Sequence, residues 1–460
     1  MEKINFLLTQ VEGKNIVFDG ESLSIFEISD QMVPFFQTSE ILDNKTKESF
    51  EEEIEYLQNQ GYLRKLKSFD AKKINTKNYY LSIQNTLECP LNCSYCFSKR
   101  IKCLPRKMAK ETSVEIVDFF RNGIGKDANN FEIYFTSGGE PLTNFEVIKE
   151  VYNYCNSLDD LIKYDIGFTT NGVLINEKVL DFIEKTDIRV AMSIDGDIEK
   201  HDKNRKYIDG RGSYKDTMKA SRMIINAMNS PERKLYVFSV IMPEDNDYVS
   251  RLKYMVDSGF EKVQMKVVRD CDNTNKIINK ENIENIKVNY TKLADFLKEE
   301  ILNNRWKYVM ALLDYNNFLG QAMIRIISGK KALYRCEAGK TKFSILPNGD
   351  IYPCDFYSMY PETKMGNIKS GFIDDSVVGK WYEKTCDSYE VCSTCWAKYI
   401  CGGSCYFSRY INKGKQNELV CEINKHIITL VIQMVSSLKI NNNAIFKRLE
   451  KVVESIISYR

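Results

Sequence analysis

Histidine is scarce in this sequence: His201 and His426 are the only two in 460 residues. This scarcity nearly excludes zinc sites built on histidine and disfavours histidine-based catalytic triads. Strongly basic blocks are also missing, and the formal net charge is +2, so nucleic acid is not the expected partner. The first segment, MEKINFLLTQVEGKN, contains acidic residues and only a short apolar run, which is not the pattern of a secretory signal.

Long apolar runs are the next absence. The sequence shows no stretch of about 18 apolar residues, so neither a membrane span nor a membrane partner is predicted. Hydrophobic residues make up 43% and charged residues 28%, which is globular usage. A chain of this length suggests about two to four domains. We expect a cytoplasmic location, where thiols stay reduced.

Cysteine, in contrast, is abundant and unevenly distributed. Of 14 cysteines, none falls in residues 1–88, three fall within LECPLNCSYCFSK (87–99), and eight fall in the last 125 residues. In a cytosolic protein this number calls for a metal or redox explanation. Because histidine is so rare, any metal should be bound by thiolates.

The N-terminal unit is assigned to residues 1–75. NIVFDGESLSIFEI predicts two short strands about a turn at Asp19-Gly20. TKESFEEEIEYLQNQGYL predicts a helix with Thr46 as its cap and Gly61 as its stop. A hairpin with small helices suggests a winged-helix-like module, and a plain extension packed on an enzyme is the alternative.

The central unit, 76–285, alternates predicted strands with helical patterns. Six mostly apolar runs are predicted to be strands buried on both faces: YYLSI (79–83), FEIYFT (131–136), DIGFTT (165–170), RVAMSI (189–194), LYVFSVI (235–241) and KVQMKVV (262–268). One helical pattern is ETSVEIVDFF, with Val114, Val117 and Phe120 on one face. Six β/α repeats predict a parallel sheet, open or curled into a partial barrel, with its functional site at the C-terminal edge of the strands.

The remaining chain is divided into a helical bridge (286–335), a cysteine-rich unit (336–425) and a C-terminal helical segment (426–460). The core of the cysteine-rich unit is CSTCWAKYICGGSC, in which the cysteines are separated by two, five and three residues. A metal-binding function is expected for this unit as well.

Cys89, Cys93 and Cys96 form a C-x3-C-x2-C triplet, one ligand short of a closed tetrahedral site. Iron–sulfur clusters are usually held by four cysteines, so a triplet leaves one iron of a cubane open. S-adenosylmethionine (SAM) can chelate that iron, and reduction then gives a 5′-deoxyadenosyl radical that takes hydrogen from a substrate. Chance spacing or a reactive thiol is the competing interpretation.

The segment CPLNCSYC (89–96) resembles the signature of radical SAM enzymes, including the aromatic residue before the last cysteine. GGEP (138–141), after the second strand, resembles the segment that receives the methionyl amine of SAM. Two motifs at later strand ends also resemble that superfamily. TNG (170–172) resembles its TNG turn, and Ser193 and Asp195 in MSIDG (192–196) resemble groups that lie near the ribose of SAM. Arg205 resembles an arginine that pairs with the SAM carboxylate, with a solvated surface charge as the alternative. The residues implied to bind SAM are Gly138, Gly139, Glu140, Thr170, Asn171, Ser193, Asp195 and Arg205.

The late cysteines resemble the seven-cysteine SPASM pattern of radical SAM peptide and protein maturases. The resemblance implies two auxiliary 4Fe–4S clusters, and hence three clusters in all. By position, the first auxiliary cluster would be held by Cys336, Cys354 and Cys405, and the second by Cys392, Cys395, Cys401 and Cys421. A zinc ribbon of Cys392, Cys395, Cys401 and Cys405 is the alternative, but it leaves three cysteines unexplained.

The first auxiliary cluster thus has three implied ligands. Some relatives have a further cysteine about six residues after the first, where this chain has Lys340, Thr341 and Lys342. Either this cluster keeps an open iron, or a distant group such as Cys386 closes it. The cysteines treated as ordinary core or surface residues are Cys103, Cys155 and Cys271.

The resemblance implies an α/β fold, with a partial (β/α)6 TIM-like barrel, an N-terminal winged-helix-like element and a C-terminal SPASM domain. It is strongest to thioether-forming maturases of the sactipeptide, ranthipeptide and SCIFF type, which join a cysteine sulfur to a carbon of another residue. The N-terminal unit would then bind the leader of a precursor peptide by strand addition. A reductant such as flavodoxin or ferredoxin is a further expected partner. A carbon–carbon crosslinking maturase stays open as an alternative.

YPCDFY (352–357), followed by MGNI, resembles the anaerobic sulfatase-maturating enzymes, which oxidise cysteine or serine to formylglycine. Asp355 falls on the position of their aspartate base, with a solvated aspartate at a hairpin end as the alternative. The N-terminal unit argues against sulfatase maturation, because those enzymes usually lack it. A non-catalytic iron–sulfur protein is a third class, which SAM cleavage by the reduced protein would exclude.

Overall fold

The structure is a computed structural model of the chain. It describes residues 6–37, 50–63, 77–228, 230, 233–268, 278–372 and 385–458. The predicted helix cap Thr46 and the predicted ordinary residue Cys271 lie outside the described residues.

The N-terminal unit contains a three-stranded antiparallel sheet in the order β1-β2-β3. Its elements are β1 (Phe6–Val11), β2 (Lys14–Asp19), β3 (Ser24–Ile28), α1 (Val33–Gln37) and α2 (Glu51–Asn59). The predicted hairpin and the predicted helix are both present, whereas β1 was not predicted. A two-residue turn joins β1 to β2, and its residues Glu12 and Gly13 have φ of 51° and 75°.

The central unit is a partial barrel of six parallel strands that follow one another in chain order. The strands are β4 (Asn78–Ile83), β5 (Asn130–Phe135), β6 (Lys163–Thr170), β7 (Arg189–Ser193), β8 (Tyr236–Ile241) and β9 (Lys262–Val267). The helices between them are α3 (Lys110–Asn122), α4 (Phe145–Ser157), α5 (Glu177–Lys185), α6 (Ile198–Asn204), α7 (Tyr214–Ala227) and α8 (Tyr248–Asp257). All six predicted strands are confirmed, each to within two residues at either end.

The two faces of the barrel strands differ in polarity because successive strand residues point to opposite faces. On β5, Phe131, Ile133 and Phe135 are almost fully buried in the core formed with the surrounding helices. Glu132 and Tyr134 alternate with them and therefore face the barrel interior. On α3, Val117 and Phe120 are buried as predicted, whereas Val114 is only half-buried.

The cysteine-rich unit extends the barrel sheet. Strand β10 (Lys342–Ile345) pairs in parallel with β4, with Lys342 opposite Tyr80 and Ile345 opposite Ile83. Three short antiparallel strands follow: β11 (Asp350–Tyr352), β12 (Gly366–Asn367) and β13 (Gly371–Phe372). The described part of this sheet therefore has ten strands, and backbone hydrogen bonds connect the cysteine-rich unit to the strand that precedes the first cysteine triplet.

Helices form the bridge and the C-terminal region. The bridge contains α9 (Ile283–Leu302), α10 (Lys307–Leu312) and α11 (Phe318–Ser328). The cysteine-rich unit adds α12 (Glu390–Ser393), α13 (Lys398–Cys401) and α14 (Tyr406–Ile411), and the chain ends in α15 (Glu418–Asn441) and α16 (Asn443–Ser458). Helix α15 begins eight residues before the predicted boundary at 426 and carries Cys421, so the cysteine-rich unit and the C-terminal segment share one helix.

Helix α15 contains no unbroken run of about 18 apolar residues, but it is the one described helix whose length and average composition approach those of a membrane span. By length and composition alone it is apolar enough to cross a membrane, but 61% of its apolar window is buried inside the protein. It packs against α9 and α11, as the core helix of a globular protein does.

Candidate functional site

The first cysteine triplet follows β4 and rests on the glycine segment that follows β5. Gly139 donates its backbone N–H to the Thr86 carbonyl at 2.7 Å, and Glu140 donates to the Glu88 carbonyl at 2.8 Å. A Cβ added at Gly139 would lie 2.1 Å from the Glu88 oxygen, so only glycine permits this approach. Two strand ends are therefore locked together at the C-terminal edge of the barrel.

The three sulfur atoms of the triplet lie in one partly buried environment. Burial, with smaller contributions from the nearby Glu140, Cys93 and Cys96, raises the pKa of Cys89 to about 12, although a hydrogen bond from the Leu91 amide lowers it. The Cys89 sulfur also accepts a long hydrogen bond, 3.7 Å, from the Asn171 amide group. The loop thus brings the predicted ligands together.

Glu140 connects the glycine segment to the end of β6. Its carboxylate accepts hydrogen bonds from the Thr170 hydroxyl at 2.6 Å and from the backbone N–H of Asn171 at 2.8 Å. A third, weaker bond comes from the Leu142 N–H at 3.3 Å. Burial raises the pKa of this carboxyl, and these hydrogen bonds oppose the shift. A carboxylate has about four acceptor sites, so Glu140 keeps capacity for one further donor.

Arg205 is buried, with 7% of its surface exposed, so its interpretation as a solvated surface charge is wrong. Its Nη1 donates to the Tyr95 hydroxyl at 2.8 Å, and that hydroxyl donates to Asp195 Oδ2 at 2.7 Å. The buried Nε–H of Arg205 has no acceptor among the described residues. Since a guanidinium has five donors in a fork that matches a carboxylate, Arg205 fits the SAM carboxylate that the sequence implied.

Asp195 supports this arginine through Tyr95. Its second carboxylate oxygen accepts the Val240 N–H at 3.1 Å, so both oxygens already have protein donors. His201 lies beside it, with its Nδ1 3.5 Å from the Asp195 N–H and its Nε2 3.0 Å from the Ser213 hydroxyl. Tyr95 and His201 were not predicted as supporting residues, because only the folded chain brings them to Asp195. Ser193 ends β7, half-buried, at the same edge of the barrel.

The late cysteines form two groups in the folded chain. Burial, followed by the nearby Cys405, Asp355 and Cys336, raises the pKa of Cys354. Separately, burial followed by Cys401, Cys392 and Cys395 raises the pKa of Cys421 to about 12. Cys405 therefore lies near Cys354, and not in the set that Cys421 forms with Cys392, Cys395 and Cys401.

The cysteine groups supply sulfur donors of the kind that iron–sulfur clusters use. Within the described residues, no group of three or more His, Cys, Asp or Glu side chains is placed to hold one metal ion. Three sets of cysteines nevertheless exist, in which all members except the exposed Cys336 are buried or half-buried, and iron–sulfur clusters take such thiolate sets. The donor chemistry therefore fits the implied clusters.

Cys386 lies beside the second of these two groups. Its pKa is raised by burial, then by Asp387, and also by Cys392 and Cys401 of that group. Its thiol donates to the Ala332 carbonyl at 3.7 Å. This position does not favour Cys386 as the missing ligand of the first auxiliary group. Cys155 is buried in the core and Cys103 is half-buried, as expected for ordinary residues.

Asp355 lies between the glycine segment and the first auxiliary group. Its Oδ2 accepts the Ser137 hydroxyl at 2.9 Å, and Ser137 directly precedes Gly138. Its Oδ1 is buried and has no partner among the described residues. Burial and then Asp355 raise the pKa of Tyr80, which faces the barrel interior. The interpretation of Asp355 as a solvated hairpin residue is therefore wrong.

The barrel interior beside Asp355 is polar. Tyr80 and Tyr134 stack there with ring centroids 5.7 Å apart. The Ser82 hydroxyl and the Gln84 Oε1 are buried and without partners among the described residues. Buried polar atoms are normally hydrogen-bonded, so these atoms are suited to a polar substrate.

The N-terminal unit contacts the loop of the second auxiliary group. Lys398, between Cys395 and Cys401, pairs with Glu21 at 2.8 Å and with Asp387 at 3.0 Å. The side chains of Lys398 and Glu21 are only 7% and 8% exposed. This buried ion pair was not predicted, because 377 residues separate its two partners in the sequence.

Comparisons with known proteins agree with this geometry. The model of the radical SAM superfamily matches residues 85–258, and the model of the SPASM iron–sulfur cluster-binding domain matches residues 336–396. An uncharacterised protein of Methanocaldococcus jannaschii is 31% identical over 215 residues, which cover 44% of this chain and 70% of that protein.

Two characterised relatives match over greater lengths. The radical SAM cyclopropyl synthase TigE of Paramaledivibacter caminithermalis is 24% identical and covers 87% of this chain and 84% of its own. A cysteine-type anaerobic sulfatase-maturating enzyme of Clostridium novyi is 24% identical, and the match covers 66% of this chain and 83% of that enzyme. The solved structure of native anSMEcpe with bound AdoMet has a TM-score of 0.64 at 20% identity, and covers 82% of this chain and 99% of that chain.

The chain belongs to the radical SAM superfamily and carries a SPASM domain. Its cofactors are 4Fe–4S clusters and SAM, as these two domains imply. The partial α/β barrel that was predicted from the sequence is confirmed.

Proposed function

We propose that this enzyme matures a ribosomally made peptide by forming thioether links from cysteine sulfur to a carbon of an acceptor residue. One observation carries the proposal. Among the described residues, the first auxiliary group gathers three cysteines, Cys336, Cys354 and Cys405, while Cys386 lies with the other group. Three thiolates leave one iron of a cubane available to a substrate thiolate.

The proposed ligand sets divide ten cysteines among three 4Fe–4S clusters. Cys89, Cys93 and Cys96 would hold the cluster whose chemistry, when bound, is the reductive cleavage of SAM, which would supply the 5′-deoxyadenosyl radical that takes hydrogen from the peptide. Gly138, Gly139 and Glu140 receive the methionyl amine, and Thr170 and Asn171 hold Glu140 in place. Arg205 binds the methionyl carboxylate, Asp195 holds Tyr95 against that arginine, and Ser193 lies near the ribose.

Asp355 is proposed to accept the proton of the substrate thiol. Its Oδ2 is fixed by Ser137, which leaves the buried Oδ1 to accept a hydrogen bond from substrate. Binding to a metal ion would lower the pKa of the thiol enough for water to take its proton. Asp355 therefore assists the reaction without being essential to it.

A peptide partner is supported by the relatives and by the N-terminal unit. The match to TigE covers about 400 residues of this chain, more than the 385 residues from 76 to 460, so it reaches into the N-terminal unit. In the described sheet β3 is an edge strand, and an edge strand can accept a leader peptide by strand addition. We further infer a cytoplasmic location and an electron donor such as flavodoxin or ferredoxin.

Formylglycine formation is the second candidate, and the relatives support it equally. The observation in its favour is the Ser137–Asp355 contact, which gives the position of the maturase base a defined orientation beside the first auxiliary group. Carbon–carbon crosslinking of a peptide would use the same domains and cofactors. The three reactions differ in their products.

Mass spectrometry of the peptide product before and after iodoacetamide tests the proposal. A thioether lowers the mass by about 2 Da per link, because two hydrogens are lost, and removes an alkylatable thiol. Formylglycine made from cysteine lowers the mass by about 18 Da and gives an aldehyde that reacts with hydrazines. An aldehyde would overturn the thioether assignment, and a loss of about 2 Da with a free thiol would indicate carbon–carbon crosslinking.

Leader recognition is tested with a protein that starts near Lys77. It should retain uncoupled SAM cleavage but modify its peptide poorly, because the recognition element is removed. The measurement is turnover of the full precursor by the truncated and full-length proteins. Equal turnover would refute leader binding by residues 1–75.

A further inference from the structure

Arg409 is a buried cation at the second auxiliary group. It lies on α14 and is 6% exposed. Its Nη2 donates to the Cys392 sulfur at 3.6 Å, and its guanidinium lies 3.5 Å from the centre of the Tyr389 ring. The arginine is thus held between an aromatic face and a proposed cluster ligand.

Arg409 has no carboxylate partner among the described residues, since no Asp or Glu oxygen there lies within 4.0 Å of it. Its buried Nε–H likewise has no described acceptor. An uncompensated buried charge is costly, so a buried arginine is normally paired. The thiolates of the second group are the negative charge available to it.

Asn424 supplies a second side-chain donor to the same group. It is 3% exposed on α15, and its Nδ2 donates to the Cys401 sulfur at 3.6 Å. Helix α15 also carries Cys421, so this donor is fixed on the same rigid element as a proposed ligand. Two of the four sulfurs in the second group therefore accept bonds from buried side chains.

The first auxiliary group has a different charge environment. Asp355 is adjacent to Cys354, while Arg335 and Lys342 act on Cys336. Around the second group, Arg409, Lys398 and Lys425 act on the ligand cysteines, and of these Lys398 is itself paired with Glu21 and Asp387. Adding an electron makes a cluster more negative, so nearby cations and hydrogen bonds to its sulfurs favour the reduced form.

We propose that Arg409 and Asn424 are positioning residues that raise the reduction potential of the second auxiliary cluster. Both act through the ligand sulfurs they contact, Cys392 and Cys401. This inference rests on the ligand assignment of the proposed function.

The test is a redox titration of the reconstituted full-length protein, monitored by electron paramagnetic resonance. Arg409→Gln removes the charge and Asn424→Leu removes the donor at similar size. At the wild-type midpoint of the second cluster, the reduced-to-oxidised ratio should fall about tenfold in Arg409→Gln, which is about 59 mV for a one-electron couple. Asn424→Leu should lower the same ratio by a smaller factor. Arg409→Lys, which keeps the positive charge, should lower the ratio less than Arg409→Gln does.

Lys415→Gln is the matched control, because Lys415 is an exposed basic residue just beyond the same helix. It should leave all potentials unchanged. Wild-type potentials in Arg409→Gln and Asn424→Leu, at full iron content, would overturn the inference. If Arg409→Gln fails to retain the second cluster, the test rests on the redox titrations of Asn424→Leu and Arg409→Lys. Wild-type midpoint potentials in both of these variants would then overturn the inference. Full iron content in Cys392→Ala would instead refute the underlying ligand assignment.

Discussion

Breaking the buried ion pair between the N-terminal unit and the second cysteine loop should release the N-terminal sheet. Lys398→Met leaves Glu21, which is 8% exposed, as a buried carboxylate without its cation. Removing one member of a buried pair costs about 3–5 kcal/mol. If this cost falls on the docking of the sheet, amide exchange in β1 to β3 should accelerate by at least about 100-fold, at 1.4 kcal/mol per factor of ten.

The reciprocal variant should be milder. In Glu21→Gln, Lys398 keeps Asp387 at 3.0 Å and the Ser393 carbonyl at 3.2 Å, so no charge is left alone. The loss is one hydrogen bond between charged groups, about 1.5–3 kcal/mol, which corresponds to an acceleration of about 10- to 150-fold. We therefore also predict that Lys398→Met accelerates amide exchange in β1 to β3 more than Glu21→Gln does.

Hydrogen–deuterium exchange followed by mass spectrometry of peptides from residues 6–28 is the assay. Glu27→Gln is the control, because Glu27 pairs with Lys14 in the same sheet with side chains 52% and 43% exposed. A surface pair is worth about 0–1 kcal/mol, so this control should accelerate exchange less than about fivefold. Exchange in Lys398→Met that matches the Glu27→Gln control, or a larger effect in Glu21→Gln, would refute the reasoning.

Three further perturbations have defined outcomes. Replacing Cys89, Cys93 and Cys96 together with Ala should lower iron from about twelve to about eight atoms per chain, as loss of one cubane requires, and a variant that still makes 5′-deoxyadenosine would refute the SAM assignment. Asp355→Asn should slow peptide modification only in part and leave the product mass unchanged; complete loss would make this carboxylate essential. Burial, and then nearby Arg205, lowers the pKa of His201 to about 3, against about 6.5 when unfolded. The unfolded chain therefore takes up a proton first as pH falls, and wild-type stability to urea should drop by about 1.4 kcal/mol more than that of His201→Gln between pH 7.5 and pH 5.5; equal drops would contradict this.

The barrel was predictable because its strands follow a simple physical pattern. The strands are short, mostly apolar runs, and in β5 and β8 every second residue is buried, so they stand out against the helices between them. Strand β1 was missed because its turn, Glu12-Gly13, lacks the usual Asn-Gly or Asp-Gly signal. Strand β10 was missed because four residues, KFSI, give too short a pattern to read.

The site was predictable to the extent that its residues lie in contiguous motifs. The cysteine spacings and GGEP each indicate a cofactor-binding function from a few contiguous residues. The contacts of Ser137 with Asp355 and of Arg409 with Cys392 depend on how distant segments meet. No periodicity or spacing encodes such side-chain contacts, so the orientation of Asp355 and the cation at the second group required the folded chain.

The pairing of β10 with β4 has a consequence for synthesis of the chain on the ribosome. The outer edge of β4 is completed only by residues 342–345, about 260 residues after β4 itself ends. At about 5–20 residues per second, the nascent barrel presents an unpaired strand edge for about 13–50 s. An exposed edge of this kind can pair with another chain. The yield of folded enzyme should therefore depend on translation speed and on nascent-chain chaperones more than on the stability of the finished barrel.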